Sequence, residues 1–142
     1  MSLLFESIAC LNGQLQNLPY HQARVNHSRK DMLGLTDLLS LNDIQIPEFA
    51  EEGLWKCRPS YEQFITSVEF SAYEPANPKT FKLVEAAIEY SYKLEDRRML
   101  DQLYAQRNLA DEVIIVVDGQ ITDSSYGNLL FFDGMEWITP MQ

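Results

Sequence analysis

Lys93 stands in IEYSYKLEDRRMLDQLYAQR, where an alternating run gives way to a helical one. In a strand, Ile88, Tyr90 and Tyr92 would face one way and Glu89, Ser91 and Lys93 the other. An amine held at a strand end can lose water. Its pKa then falls and it becomes a nucleophile near neutral pH. A solvated surface charge has the same local spelling and is the commoner outcome for a lysine.

His21 and Arg24 fall one helical turn apart in HQAR. An arginine beside a helix can fix a phosphate, and it can equally lie on a solvated face. His21 and His27 do not make a metal pair, because no carboxylate or cysteine cluster accompanies them. Asp123 lies in GQITDSSYGN, just past a strand, where a carboxylate can cap the turn or pair with a buried cation. The sequence has no Gly-rich phosphate loop and no GxSxG elbow.

These residues need a scaffold, and its elements are legible. LLFESIACLNGQLQNL alternates around Asn12-Gly13, a strong short hairpin signal. Pro19 suits a first helical turn, and the spacing predicts a helix ending at Gly34. A second, weaker helix is expected around Leu35–Leu41, and LNDIQIPEFAEEG reads as loop or short helix. WKCRPSYEQFITSVEFSAY reads as two strands broken near Pro59-Ser60.

EPANPK carries two prolines and marks a boundary at residues 74–79, separating units 1–76 and 77–142. Beyond it, KLVEAAIEYSYK fits strand or helix. EDRRMLDQLYAQRNL reads as a helix with Met99, Leu100, Leu103 and Tyr104 on one side. DEVIIVV suits a buried strand that turns at Asp118-Gly119, and GNLLFF with MEWITP forms a hairpin across Asp133-Gly134. The expected class is α+β, with helices on mostly antiparallel strands.

Composition bounds the function. The 142 residues carry a formal net charge of -10, against nucleic-acid or anionic-membrane partners, which need clustered Lys and Arg. No apolar run approaches the ~20 residues of a spanning helix. The start, MSLLFESIACLNG, lacks a basic leader and is interrupted by Glu6, so a cytoplasmic protein is expected. Cys10 and Cys57 are too few for a disulfide framework and are expected to be reduced, buried thiols.

Three segments in order resemble one family. LFESIACLNGQLQNLPYHQAR is similar to a family start of Phe-Glu-(Ser/Thr)-Ile, a turn, and a helix with His-x-x-Arg. YKLEDRRMLDQLYAQRNLADEVIIV resembles the segment of a Schiff-base lysine. DGQITDSSYGNLLFFDGMEWITP resembles a closing Gly-x-(Val/Ile)-Thr-(Glu) motif followed by Asn, Phe and Thr-Pro. The family is that of the class IV aminotransferases, pyridoxal-phosphate enzymes of fold type IV. It includes branched-chain and D-amino acid aminotransferases and 4-amino-4-deoxychorismate lyase. Lys93-Leu94-Glu95-Asp96-Arg97 is closest to the lyase-like branch.

The resemblance implies an N-terminal α/β subdomain and a C-terminal β-rich, cofactor-binding one. It implies Lys93 as the Schiff base and proton-transfer group, and Arg24 as the phosphate arginine. Asp123 falls where the family usually places a glutamate against the pyridine nitrogen, one methylene shorter here. Asn128 matches a structural asparagine. Arg97, and more remotely Arg58, are candidates for a phosphate or substrate contact. A small amine or amino acid substrate and a homodimer are implied, and no metal. The family's Gly-(Thr/Val)-x-Arg phosphate segment, which follows Thr-Pro, is expected to be missing here. Three functions follow: a lyase releasing pyruvate and 4-aminobenzoate, an amino acid aminotransferase, or a non-catalytic member acting by association.

Overall fold

A computed structural model describes residues 3–87 and 97–140. They fall into two compact units, one within residues 3–75 and one within 76–87 and 97–140. Lys93, and the strand-to-helix break read around it, lie outside the described residues.

The first unit is an antiparallel sheet with a helix against it. Its strands are β1 (Leu4–Phe5), β2 (Ile8–Leu11), β3 (Gln14–Leu15), β4 (Leu54–Tyr61) and β5 (Ile65–Ala72). β4 is central, pairing with β5 on one side and with β1 and β2 on the other. The β2–β3 hairpin turns on Asn12 and Gly13, with φ of 49° and 76°. Two successive positive φ values match the twist of the flanking strands, so Asn-Gly is the favoured pair there.

β1 and β2 are two pieces of one strand. Phe5 lies opposite Ser60 and Ile8 opposite Cys57, so the register runs unbroken past Glu6 and Pro59. Glu6 N–H donates to the Pro59 carbonyl at 3.0 Å. Pro59 has no N–H to return, and the ladder lapses for that one bond. This corrects the expectation of a break near Pro59-Ser60. β4 continues through the proline, and the chain turns at residues 62–64 instead. The partner strand carries the gap, so β4 need not end.

Alternation along this strand puts Leu4, Glu6, Ile8 and Cys10 on one face, all four at 0% exposure. Val25, Leu39, Leu41, Ile44, Cys57 and Tyr61 complete that core with Leu4, Ile8 and Cys10. Both cysteines are free thiols and buried, as expected. Val25 comes from α1 (Leu18–Leu33), which begins with Pro19 in its first turn. It ends at Gly34, whose φ of 67° lets its N–H reach the Arg29 and Lys30 carbonyls.

The helix expected around Leu35–Leu41 does not form. The chain stays non-helical up to a single 3-10 turn at Leu41–Asp43. Side chains of α1 claim its backbone. Gln22 donates to the Leu39 carbonyl at 2.7 Å and accepts from Leu41 N–H at 2.8 Å. Arg29, 1% exposed, donates to the Asp37 carbonyl at 2.7 Å and to the Asp37 carboxylate at 3.0 Å.

The second unit orders β6 (Phe81–Glu85), β7 (Glu112–Val117) and β8 (Gln120–Ser124) in that sequence across a sheet. Of the stretch left open between strand and helix, residues 82–85 are strand, within β6, and residues 88–93 lie outside the described residues. β6 and β7 are parallel, which requires a crossover, and α2 (Arg98–Ala105) lies within it. Leu100 and Leu103 bury against Val84, Val113 and Ile115. Met99, expected on that side, is 55% exposed. At about 100° per residue it falls beside the narrow stripe of so short a helix.

β7 and β8 turn at Asp118-Gly119, both with positive φ. β9 (Phe131–Phe132) and β10 (Trp137–Ile138) pair across Asp133-Gly134, with Phe132 and Trp137 ring centroids 5.3 Å apart. The described chain is thus α+β, as expected, with β6–β7 the parallel exception. No described helix is long and apolar enough to cross a membrane.

Candidate functional site

Glu6 is a charged side chain on an apolar face, and α1 answers it. Arg24 Nε donates to Glu6 Oε1 at 2.9 Å, and Arg24 Nη2 donates to Oε2. His21 Nδ1 lies 2.7 Å from the same Oε2. Arg24 can only donate, and an ionised Glu6 can only accept, so His21 donates from Nδ1–H. His21 and Arg24 are three residues apart on α1, so both reach one strand position.

Burial raises the Glu6 pKa, but the hydrogen bonds and charges of Arg24 and His21 outweigh it and hold the carboxyl below its ordinary value. Glu6 in turn raises the Arg24 pKa, keeping the guanidinium charged. Tyr61 is fully buried in the same core, and burial, then the Glu6 charge, push its phenol well up. Cys57 is pushed up to about 12 by burial and then by Cys10, so neither core thiol is poised as a nucleophile.

Glu6 takes one edge of the Arg24 guanidinium and leaves the rest of it open. Its Nε and Nη2 face Glu6, while the side chain remains 42% exposed. Nη1 has no protein partner among the described residues. One occupied edge and one open nitrogen on a partly exposed cation fit a phosphate oxygen. Arg58, on β4, instead lays its guanidinium 4.3 Å from the centre of the Phe5 ring. His27 pairs with Asp31 at 3.2 Å, and no metal-binding group of acidic, His and Cys residues occurs among the described residues.

In the second unit, Arg97 reaches the turn that follows Asp123. Arg97 precedes α2 and donates from Nη2 to the Ser125 carbonyl, with its guanidinium 5.6 Å from the Tyr126 ring centre. Ser125 Oγ donates to Glu112 at 2.6 Å, and Ser124 Oγ donates to the Gly127 carbonyl at 2.6 Å. Asp123 is half-buried on β8, opposite Ile115, and its Oδ1 accepts the Ser124 N–H at 2.8 Å. Asn128 follows in the exposed turn. A carboxylate held this way at a strand end has the chemistry to accept a pyridinium N–H.

The sequence reading gave Glu6 no role, taking it as an interruption of an apolar run and as one residue of the family's Phe-Glu-(Ser/Thr)-Ile opening. The signal was available: Leu4-x-Glu6-x-Ile8-x-Cys10 sets a charge on an apolar face, and HQAR supplies its partners.

No protein-family model matches the chain. An uncharacterized protein of Haemophilus influenzae is 37% identical over 143 residues, spanning 96% of this chain and 75% of that protein. The crystal structure of a candidate 4-amino-4-deoxychorismate lyase from Haemophilus somnus is 33% identical. Its TM-score is 0.81, with 99% of this chain and 76% of that chain covered. An aminotransferase from Brucella abortus, solved with PLP bound, shares the fold alone at 19% identity, TM-score 0.69, covering 99% of this chain and 61% of that one. With the three sequence segments in order and this fold, the chain belongs to the class IV aminotransferase family, the pyridoxal-phosphate enzymes of fold type IV.

Proposed function

We propose that the protein is a pyridoxal-phosphate-dependent lyase of the 4-amino-4-deoxychorismate type, releasing pyruvate and 4-aminobenzoate. The observation carrying this reading is the 33% identity to the Haemophilus somnus candidate lyase across 99% of this chain. The Lys93-x-x-x-Arg97 spelling supports the same branch.

When bound, pyridoxal phosphate supplies an electron sink for a carbanion next to the substrate nitrogen. The chain's own residues divide the remaining work. Arg24 binds the phosphate through Nη1, the nitrogen that Glu6 leaves open. Asp123 keeps a proton on the pyridine nitrogen through its carboxylate. Lys93 would hold the cofactor through Nζ and would be the group that moves the substrate proton. Arg97 orients the turn that follows Asp123 through its bond to the Ser125 carbonyl. Two copies of the chain are the proposed working form.

The deciding assay supplies 4-amino-4-deoxychorismate and pyridoxal phosphate and no keto acid, and follows pyruvate and 4-aminobenzoate. Both products are expected from the native protein and neither from Lys93→Ala. Turnover that requires a keto-acid acceptor would replace this reading with transamination. Bound cofactor without either product would leave a family member that works by association.

A further inference from the structure

We propose that Glu6 is a positioning residue: it locks one edge of Arg24 so that Nη1 faces an incoming phosphate group. This rests on the pyridoxal-phosphate reading above and deepens it.

The fold gives the first reason. Glu6 occupies a core position between Leu4 and Ile8 on the same face, and all three are fully buried. A leucine there would continue the apolar stripe without desolvating a charge. Buried ion pairs are seldom worth more to stability than apolar residues of similar volume. Stability alone therefore gives a carboxylate little reason to stand at this place.

The geometry gives the second. Arginine has a planar fork, and a carboxylate that takes Nε and Nη2 fixes the plane. The bonds at Nε and Nη2 leave Nη1 as the outward nitrogen on a side chain 42% exposed. His21 holds Glu6 Oε2 at 2.7 Å, so the carboxylate is itself kept from rotating. Without these bonds a partly exposed arginine would spread over several rotamers, and ordering it would cost binding energy.

Charge alone predicts the opposite sign. The Glu6 carboxylate cancels much of the Arg24 field, so removing it should strengthen attraction for a phosphate dianion. Positioning and attraction therefore make contrary predictions for Glu6→Gln, which has nearly the same shape and no charge.

The experiment titrates the full chain with pyridoxal phosphate, pyridoxal and inorganic phosphate by calorimetry. In Glu6→Gln, pyridoxal phosphate and phosphate should bind about tenfold more weakly, the effect of losing one charge-assisted contact. Pyridoxal, which has no phosphate, should bind as to the native protein. In an Arg24→Ala background, Glu6→Gln should change nothing further. Equal or tighter phosphate binding by Glu6→Gln overturns the proposal, as does an equal loss for pyridoxal.

If Glu6→Gln does not fold, Arg24→Lys decides. Lysine keeps the charge but has no second edge to present once Glu6 is satisfied, so phosphate affinity should fall about tenfold. Native-like affinity in Arg24→Lys overturns the proposal. A native protein that binds pyridoxal phosphate, with Glu6→Gln unaffected, leaves the enzyme reading standing and removes this one. A native protein that binds inorganic phosphate but not pyridoxal phosphate, with Glu6→Gln binding it more weakly, keeps the positioning role and removes the enzyme reading. Binding of neither by the native protein removes both.

Discussion

A carboxylate at 0% exposure, with an arginine and a histidine on its two oxygens, makes the first unit sensitive to acid. The Glu6 pKa lies below its ordinary value of 4.5 in the fold, because Arg24 and His21 together outweigh the effect of burial. A depressed carboxyl contributes stability above its unfolded pKa and loses it as pH falls through the folded one. Glu6→Gln has no such proton to take up. Urea unfolding from neutral pH down to about pH 3 should therefore move the difference between the two proteins steadily in favour of Glu6→Gln below about pH 4.5. Asp111 and Asp133 are also lowered, by backbone N–H donors first, but both remain in the variant and drop out of the difference. A difference that does not change with pH would mean that Glu6 is not an ionised partner of Arg24. Among the described residues this cluster was only half legible. HQAR named the two donors and the alternation Leu4-x-Glu6-x-Ile8 set Glu6 on an apolar face, but that this face is the buried one depends on where β4 lies.

Short elements were read best where one residue's conformational limits decide the outcome. Asn12-Gly13, Asp118-Gly119 and Gly34 all fall at positive φ, and Pro19 opens α1, as their types require. The segment after Gly34 was misread because its backbone bonds go to Gln22 and Arg29, residues a turn or more back in a different element. Pro59 was misread because its cost falls on the partner strand. Two glycines separate conformation from space. An added Cβ at Gly34, φ 67°, would meet nothing within 4 Å, so Gly34→Ala pays only for the left-handed backbone, about 1 kcal/mol. At Gly13, φ 76°, it would meet the Glu51 backbone at 3.4 Å, where the hairpin also donates to the Ala50 carbonyl. Gly13→Ala should therefore cost more than Gly34→Ala in chemical denaturation. Equal losses would show that the 50–53 segment yields freely.

Each unit has its own core, one around Leu4, Val25 and Tyr61 and the other around Val84, Leu103 and Val113. Arg24 stands on α1, in the first unit. A ligand that binds only the native state stabilises what it holds, by about 2.7 kcal/mol at a hundredfold excess over its Kd. Hydrogen exchange then reports which parts are held. Pyridoxal phosphate should slow exchange in α1. Pyridoxal should leave α1 nearly unchanged, because it offers Arg24 no phosphate. Arg24→Ala with pyridoxal phosphate should reproduce the pyridoxal pattern. Exchange in α1 that pyridoxal phosphate leaves unchanged would remove Arg24 as the phosphate residue, and would take the positioning role of Glu6 with it.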